Sequence, residues 1–217
     1  MYLYKGVICL QKRLLISISV YSSVLLLASN LAATKIFAFL GTIPMDAGIL
    51  LFPLTYIIGD MSVEFFGERH ARAIVVDSTI VNLFVMAVLA AAIWLPPFPG
   101  WENQEAYKAI FGFMPRIIAG SLLAFVVSNF VNIYVFTKIR VYAGEDKLFT
   151  RLFCSSVVAK VFDTLIFEFV AFFGVLAFKD FVLQAIVAYG AGLLLELLLS
   201  PISCGIIKVI KRRYTLR

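Results

Sequence analysis

The 217-residue sequence contains a single histidine, His70, and it sits among Arg69 and Arg72 rather than in an apolar run. A histidine-based catalytic triad at membrane depth and a multi-histidine metal site are therefore excluded. Cysteine is almost as scarce. Cys9, Cys154 and Cys204 are far apart and form no C-x-x-C, which supports neither a disulfide framework nor a thiolate metal site. No Gly-rich phosphate loop occurs, so the chain has no P-loop with which to hydrolyse ATP. No G-x-S-x-G marks a serine nucleophile either. These absences leave no catalytic residue, metal or cofactor to assign, and they make an enzyme the weaker class.

Charge is the other scarcity. Only 15% of residues are charged while 62% are hydrophobic, and the mean hydropathy is +0.99. A chain this apolar has no wet surface for a soluble fold and reads as an integral membrane protein. A crossing takes roughly 20 apolar residues at about 1.5 Å each. Six stretches qualify: Leu14 to Phe39, Met45 to Phe66, Ala73 to Leu95, Ile110 to Phe136, Leu152 to Phe178 and Phe181 to Ile207. They lack strict alternation, so helices rather than barrel strands are expected. The expected fold is all-α, a single domain over residues 1–217 with six transmembrane helices around a central polar cavity. The first run is long and carries Asn30 and Lys35, with no small-residue cleavage pattern, so it is expected to stay as a span.

Lys and Arg set the orientation. With the N-terminus cytoplasmic, that side holds Lys5, Lys12, Arg13, Arg69, Arg72, Lys138, Arg140, Lys147, Arg151, Lys208, Lys211, Arg212, Arg213 and Arg217. The opposite side holds only Lys35, Lys108, Arg116 and Lys179. Both termini are expected to be cytoplasmic. The net charge of +6 then follows from topology and contact with anionic lipid, and no nucleic-acid partner is called for. The external stretches GTIPMD and PPFPGWENQEAYK read as connectors, with Trp94, Trp101 and Tyr107 suited to the interfacial aromatic belt.

What chemistry remains lies in polar groups at membrane depth, which are costly and mark function by default. Ser29, Asn30 and Thr34 fall together in the first stretch, and Tyr56, Asp60 and Glu64 recur every fourth residue on one face of the second. Ser121, Ser128, Asn129 and Asn132 follow in the fourth; the fifth carries Lys160, Asp163, Thr164 and Glu168. The sixth has Glu196 and Ser200 ahead of Pro201, which should kink or loosen it. Singly, each also fits helix glue, snorkelling or an internally neutralised cluster. A central cavity gives one cause for all of them. Carboxylates accept paired N–H donors and Asn supplies both donor and acceptor, so a small, planar, neutral or cationic heterocycle suits such a lining.

Ser29-Asn30, GILLFPLTYIIGDMSVEFFGERHAR (Gly48 to Arg72), RIIAGSLLAFVVSNFVNIYVFTKIR (Arg116 to Arg140) and VFDTLIFEFVAFFG (Val161 to Gly174), taken in order, resemble the queuosine precursor transporter family of vitamin-uptake-like membrane proteins. The resemblance implies six transmembrane helices in the bacterial inner membrane and import of 7-deazaguanine bases or queuine for tRNA modification, without an ATPase of the chain's own. A standalone secondary importer is favoured; a substrate-binding subunit of an energy-coupling complex and a membrane enzyme or assembly factor stay open, as does homo-oligomerisation. Carried over by position, substrate binding falls to Asn30, Asp60 and Glu64, to Arg116, and to Asp163 with Thr164; Tyr56 joins them on the Asp60 stripe. The chain departs from the family pattern at Asn129 and Asn132, where relatives have Gln and Asp. It departs again at Lys160 and Glu196, where they have a neutral polar residue and Lys. That exchange of charge between neighbouring helices implies a Lys160 to Glu196 pair, and these four residues complete the expected site.

Overall fold

A computed structural model describes the backbone of residues 2–39, 43–112, 115–144, 147–174 and 178–214, and their side chains except at 2–10, 36, 39, 43, 44, 115, 117, 143, 172, 180, 213 and 214. Lys5, Arg213 and Arg217 of the basic tally, and Glu145 and Asp146 of the basic loop, lie outside those described side chains. The protein is almost entirely helical. Helix α1 (Tyr2–Ala32) leads into a hairpin of β1 (Ile36–Phe39) and β2 (Ile43–Asp46) and a 3₁₀ turn (Ala47–Leu50). Then come α2 (Phe52–Phe66), α3 (Glu68–Trp94), α4 (Gln104–Phe111), α5 (Pro115–Ala143), α6 (Leu148–Phe172) and α7 (Phe178–Tyr214).

Four helical segments among the described residues are long and apolar enough to cross a membrane: Gln11–Ala32, Glu68–Trp94, Ile118–Tyr142 and Phe181–Arg212. Two expected crossings depart from that standard for different reasons. Helix α2 has only 15 residues, about 22 Å at 1.5 Å per residue. Helix α6 is 25 residues long but carries Arg151, Lys160, Asp163 and Glu168.

Three expected boundaries are corrected. The first stretch does not stay helical to Phe39; the helix stops at Ala32 and the chain turns into the hairpin, paired antiparallel from Ile36 with Asp46 to Phe39 with Ile43. The second begins its helix at Phe52 rather than Met45, with Pro53 in the first turn, where its missing N–H costs nothing. Ile110 and Phe111 close the short α4, and the spanning α5 starts only at Pro115.

Helices α2 and α3 meet at Gly67 (φ 79°, ψ 171°), a conformation that side chains disfavour, so a single residue reverses the chain. Gly59 lets α2 lie close to α5: a Cβ there would sit 3.2 Å from Asn129 Oδ1. The most extensive helix pairing is α5 with α6, followed by α6 with α7. Hydroxyls join α1 to α3, with Ser78 Oγ donating to Ser22 Oγ at 3.0 Å and Ser23 Oγ to Ser78 Oγ at 3.2 Å. Helix α7 continues through Pro201, and nearby Ser200 and Ser203 donate to the carbonyls of Glu196 and Leu199 at 2.8 and 2.9 Å. The apolar core of Ile57, Met61, Ile74, Phe125, Ile133, Phe136, Leu152 and Ile207 is interleaved with buried polar residues from every long helix.

Candidate functional site

The polar side chains gather in two layers. The first surrounds a cavity of about 70 Å³ beneath the hairpin, several times the roughly 10–15 Å³ that one water needs on the same measure. Ser29, Asn30 and Ala33 of α1, Met45 and Asp46 of β2, and Gly48 and Ile49 of the 3₁₀ turn form one side. Phe52, Ser121 and Ala124 continue the wall, and Lys160, Asp163, Thr164, Phe167 and Glu168 of α6 face them, with Gln184 and Ala188 of α7.

Most of this lining is held by bonds of its own. Lys160 Nζ donates to Asp163 Oδ2 at 2.7 Å and lies 5.1 Å from the Phe52 ring centre, a cation–π contact that also fixes that ring. Asn30 Oδ1 accepts from Ser121 Oγ at 2.5 Å, and its Nδ2 donates to Asn82 Oδ1 at 3.2 Å, tying α1 to α5 and α3. Ser29 Oγ donates to the Gly48 carbonyl at 3.1 Å and so clasps the turn below the hairpin.

Gly48 has no room for a side chain: a Cβ would lie 2.7 Å from the Ser29 carbonyl oxygen and 2.8 Å from Asp46 Oδ1. Because one of those neighbours is backbone, Gly48→Ala is expected to push the turn off α1 at a cost of about 1–3 kcal/mol. Its melting temperature in detergent should fall clearly below that of Gly190→Ala, where a Cβ meets nothing within 4 Å. Equal melting of the two variants would show that the clasp is loose.

The second layer lies nearer Gly67 and encloses no room for water around Pro53, Tyr56, Ser156, Lys160, Gly192 and Glu196. Asn132 Nδ2 donates to Asp60 Oδ1 at 2.6 Å. Tyr56 Oη, Asp60 Oδ2 and Asn132 Oδ1 are buried without a hydrogen-bond partner among the described residues. Below them Glu64 is shared by two cations. Arg151 Nη1 is 3.1 Å from its Oε2 and Nη2 donates to Oε1 at 3.3 Å, while Lys211 Nζ also donates to Oε1. This cluster joins α2, α6 and α7 near the α2–α3 reversal.

Of the residues expected from sequence, Asn30, Lys160, Asp163 and Thr164 line the cavity. Tyr56, Asp60, Glu64, Asn129, Asn132 and Glu196 are buried together in the deeper layer instead. Arg116 is in neither: its guanidinium donates to the carbonyls of Val170 and Phe173, the latter at 2.6 Å, and satisfies the C-terminal end of α6. The expected pairing of Lys160 with Glu196 is also corrected. Asp163 is one turn away on the same helix and takes the ammonium, while Glu196 accepts from Ser156 Oγ at 2.9 Å. Sequence reasoning missed Asp46, Gly48 and Gln184, and it placed Glu168 in the polar set without giving it a site. The stretch GTIPMD is no mere connector, since its last residues, Met45 and Asp46, line the cavity. The available signal was Asp46 followed by Gly48 at the edge of an apolar run.

A family model described as "Putative vitamin uptake transporter" matches residues 46–206. A Bacillus subtilis protein named "Probable queuosine precursor transporter" is 31% identical over 148 residues, 68% of this chain and 64% of that relative. The Escherichia coli "Queuosine precursor transporter" is 26% identical over 125 residues, 58% of this chain and 54% of the relative. A Haemophilus influenzae relative with the same name as the first is 29% identical over 93 residues, 43% of this chain and 38% of its own. The matches thus span less than two thirds of the length of these curated relatives. No solved structure matches the chain.

Proposed function

The chain belongs to the vitamin uptake transporter family, a multi-pass group whose curated relatives bear transporter rather than enzyme names, and from that premise we propose that it imports queuosine precursors across the bacterial cell membrane as a standalone secondary transporter. The observation that carries this reading is the cavity beneath the hairpin, which combines carboxylates, amides and the aromatic side chains of Phe52 and Phe167. A 7-deazaguanine base presents N–H donors, a carbonyl acceptor and a π face, and such a lining answers each of them. Lipid surrounds the bundle, and no nucleic acid takes part.

In this reading six segments cross the membrane, α1, α2, α3, α5, α6 and α7, with both termini cytoplasmic. The hairpin faces the outside. Substrate enters beneath it and passes the buried polar atoms of Tyr56, Asp60 and Asn132. The Glu64 cluster closes the cytoplasmic end until it opens for release. Asn129 and Glu196 line the same route, and Arg116 steadies the outer end of α6.

The test is uptake of labelled 7-deazaguanine precursor by vesicles from cells without any coupling ATPase. Accumulation there supports a standalone importer; binding without accumulation would move the chain to a binding subunit of a larger complex. Orientation has its own measurement. A single cysteine at Glu102, exposed in the connection between α3 and α4, should react with a membrane-impermeant maleimide on intact cells. Reaction only in inside-out vesicles would reverse the topology.

A further inference from the structure

Glu168 is left without a full set of partners on a wall where Lys160 and Asp163 are paired with each other. The residue is 2% exposed and lines the cavity beside Gln184, which bonds its carboxylate, and its Oε2 has no hydrogen-bond partner among the described residues. An acceptor held in that state is costly unless something fills it. The ammonium on the same wall does not, because Lys160 Nζ is engaged by Asp163 Oδ2 at 2.7 Å. Asp46 adds a further carboxylate from the hairpin side. Asp46, Asp163 and Glu168 against Lys160 leave the lining with excess acceptors, so it calls for a ligand that brings N–H donors.

Resting on the transport reading above, we propose that Glu168 is the specificity-determining residue for the donor edge of the substrate. Its carboxylate accepts the ring N–H and the exocyclic amine as two parallel N–H···O bonds. Asp60, which the sequence also places in the binding set, is outside the cavity lining. Two parallel bonds need two acceptor oxygens on one rigid group. Glutamine offers one and turns a donor toward the ligand's own donors.

The experiment is equilibrium binding to the full chain in lipid nanodiscs, comparing 7-deazaguanine with 7-deazahypoxanthine, which lacks the exocyclic amine. The wild-type chain should prefer the first on the order of a hundredfold, since losing a matched polar contact leaves buried groups unpaired. In Glu168→Gln that preference should shrink to within about threefold. If the Gln variant does not remain monodisperse, Glu168→Asp, which keeps the charge but withdraws the carboxylate by one methylene, should show the same loss. Full preference in the folded Glu168 variant, or its loss in Asp60→Asn instead, overturns this assignment alone. Failure of the wild-type chain to bind either base overturns the transport reading together with it.

Discussion

Glu64→Gln is expected to destabilise the folded chain by about 3–5 kcal/mol, because it strips two cations of the carboxylate they share in a dry setting. The side chains of Arg151 and Glu64 are 0% and 1% exposed, and Lys211 closes the cluster from the end of α7. Arg151 also stacks its guanidinium 5.0 Å from the Phe136 ring centre. Neutralising Glu64 alone brings Arg151 and Lys211 together as like charges, with a buried guanidinium that no longer has this anion. Combining Glu64→Gln with Arg151→Met should recover most of the loss, since an apolar replacement of a whole buried pair is often neutral. The exposed Arg72 and Glu68 pair provides the contrast. Glu68→Gln should cost no more than about 1 kcal/mol. Thermal unfolding followed by size-exclusion in detergent reads all three variants. A Glu64→Gln chain that melts with the wild type would remove the cluster as a structural closure.

The second large effect is expected at Lys160. Its ammonium and the Asp163 carboxylate are 11% and 7% exposed and 2.7 Å apart, so Lys160→Ala leaves a carboxylate in the cavity wall without its cation. Folded protein and precursor binding should both fall sharply, by several kcal/mol in total. Lys160→Met with Asp163→Asn should restore the fold but not the binding. The double-mutant cycle is informative because Lys160 also shares a lining with Glu196. Coupling to Asp163 is expected at about 1–3 kcal/mol, and coupling to Glu196 should be clearly smaller, because Ser156 already serves that carboxylate. A larger coupling to Glu196 would reinstate the interhelical pair.

Much of this arrangement was legible in the sequence because lipid makes polar groups conspicuous. The stripe Tyr56, Asp60, Glu64 was readable from its four-residue repeat, and all three are buried on α2. Asn30, Asn129, Asn132, Asp163 and Glu196 were marked by the cost of polar groups at membrane depth and by their places in the family pattern, and each is buried. Depth was not readable. Hydropathy says that a residue lies in an apolar run but not which side of a layer it faces, so residues of the cavity and of the deeper layer appeared as one set. Pairing across helices was equally hidden: Lys160 took the neighbour one turn away, and Arg151, read only as a topogenic charge, reached Glu64 across 87 positions. The hairpin escaped because Ile36 to Phe39 resumes the apolar character of α1 after only Thr34 and Lys35. Only Gly48, with no room for a Cβ, betrays the close approach that follows it.

Protection of a cavity cysteine by substrate tests most directly whether the space beneath the hairpin is where the precursor binds. In a chain with Cys9, Cys154 and Cys204 replaced by Ser, Ala188→Cys places a thiol on the α7 wall of the cavity, and Glu102→Cys places one on the exposed connection far along the chain from it. Saturating precursor should slow maleimide labelling at position 188 by about tenfold or more, as expected when a bound ring covers the thiol, and leave position 102 unchanged. Unaltered labelling at position 188 while the precursor is demonstrably bound would place the substrate elsewhere in the protein.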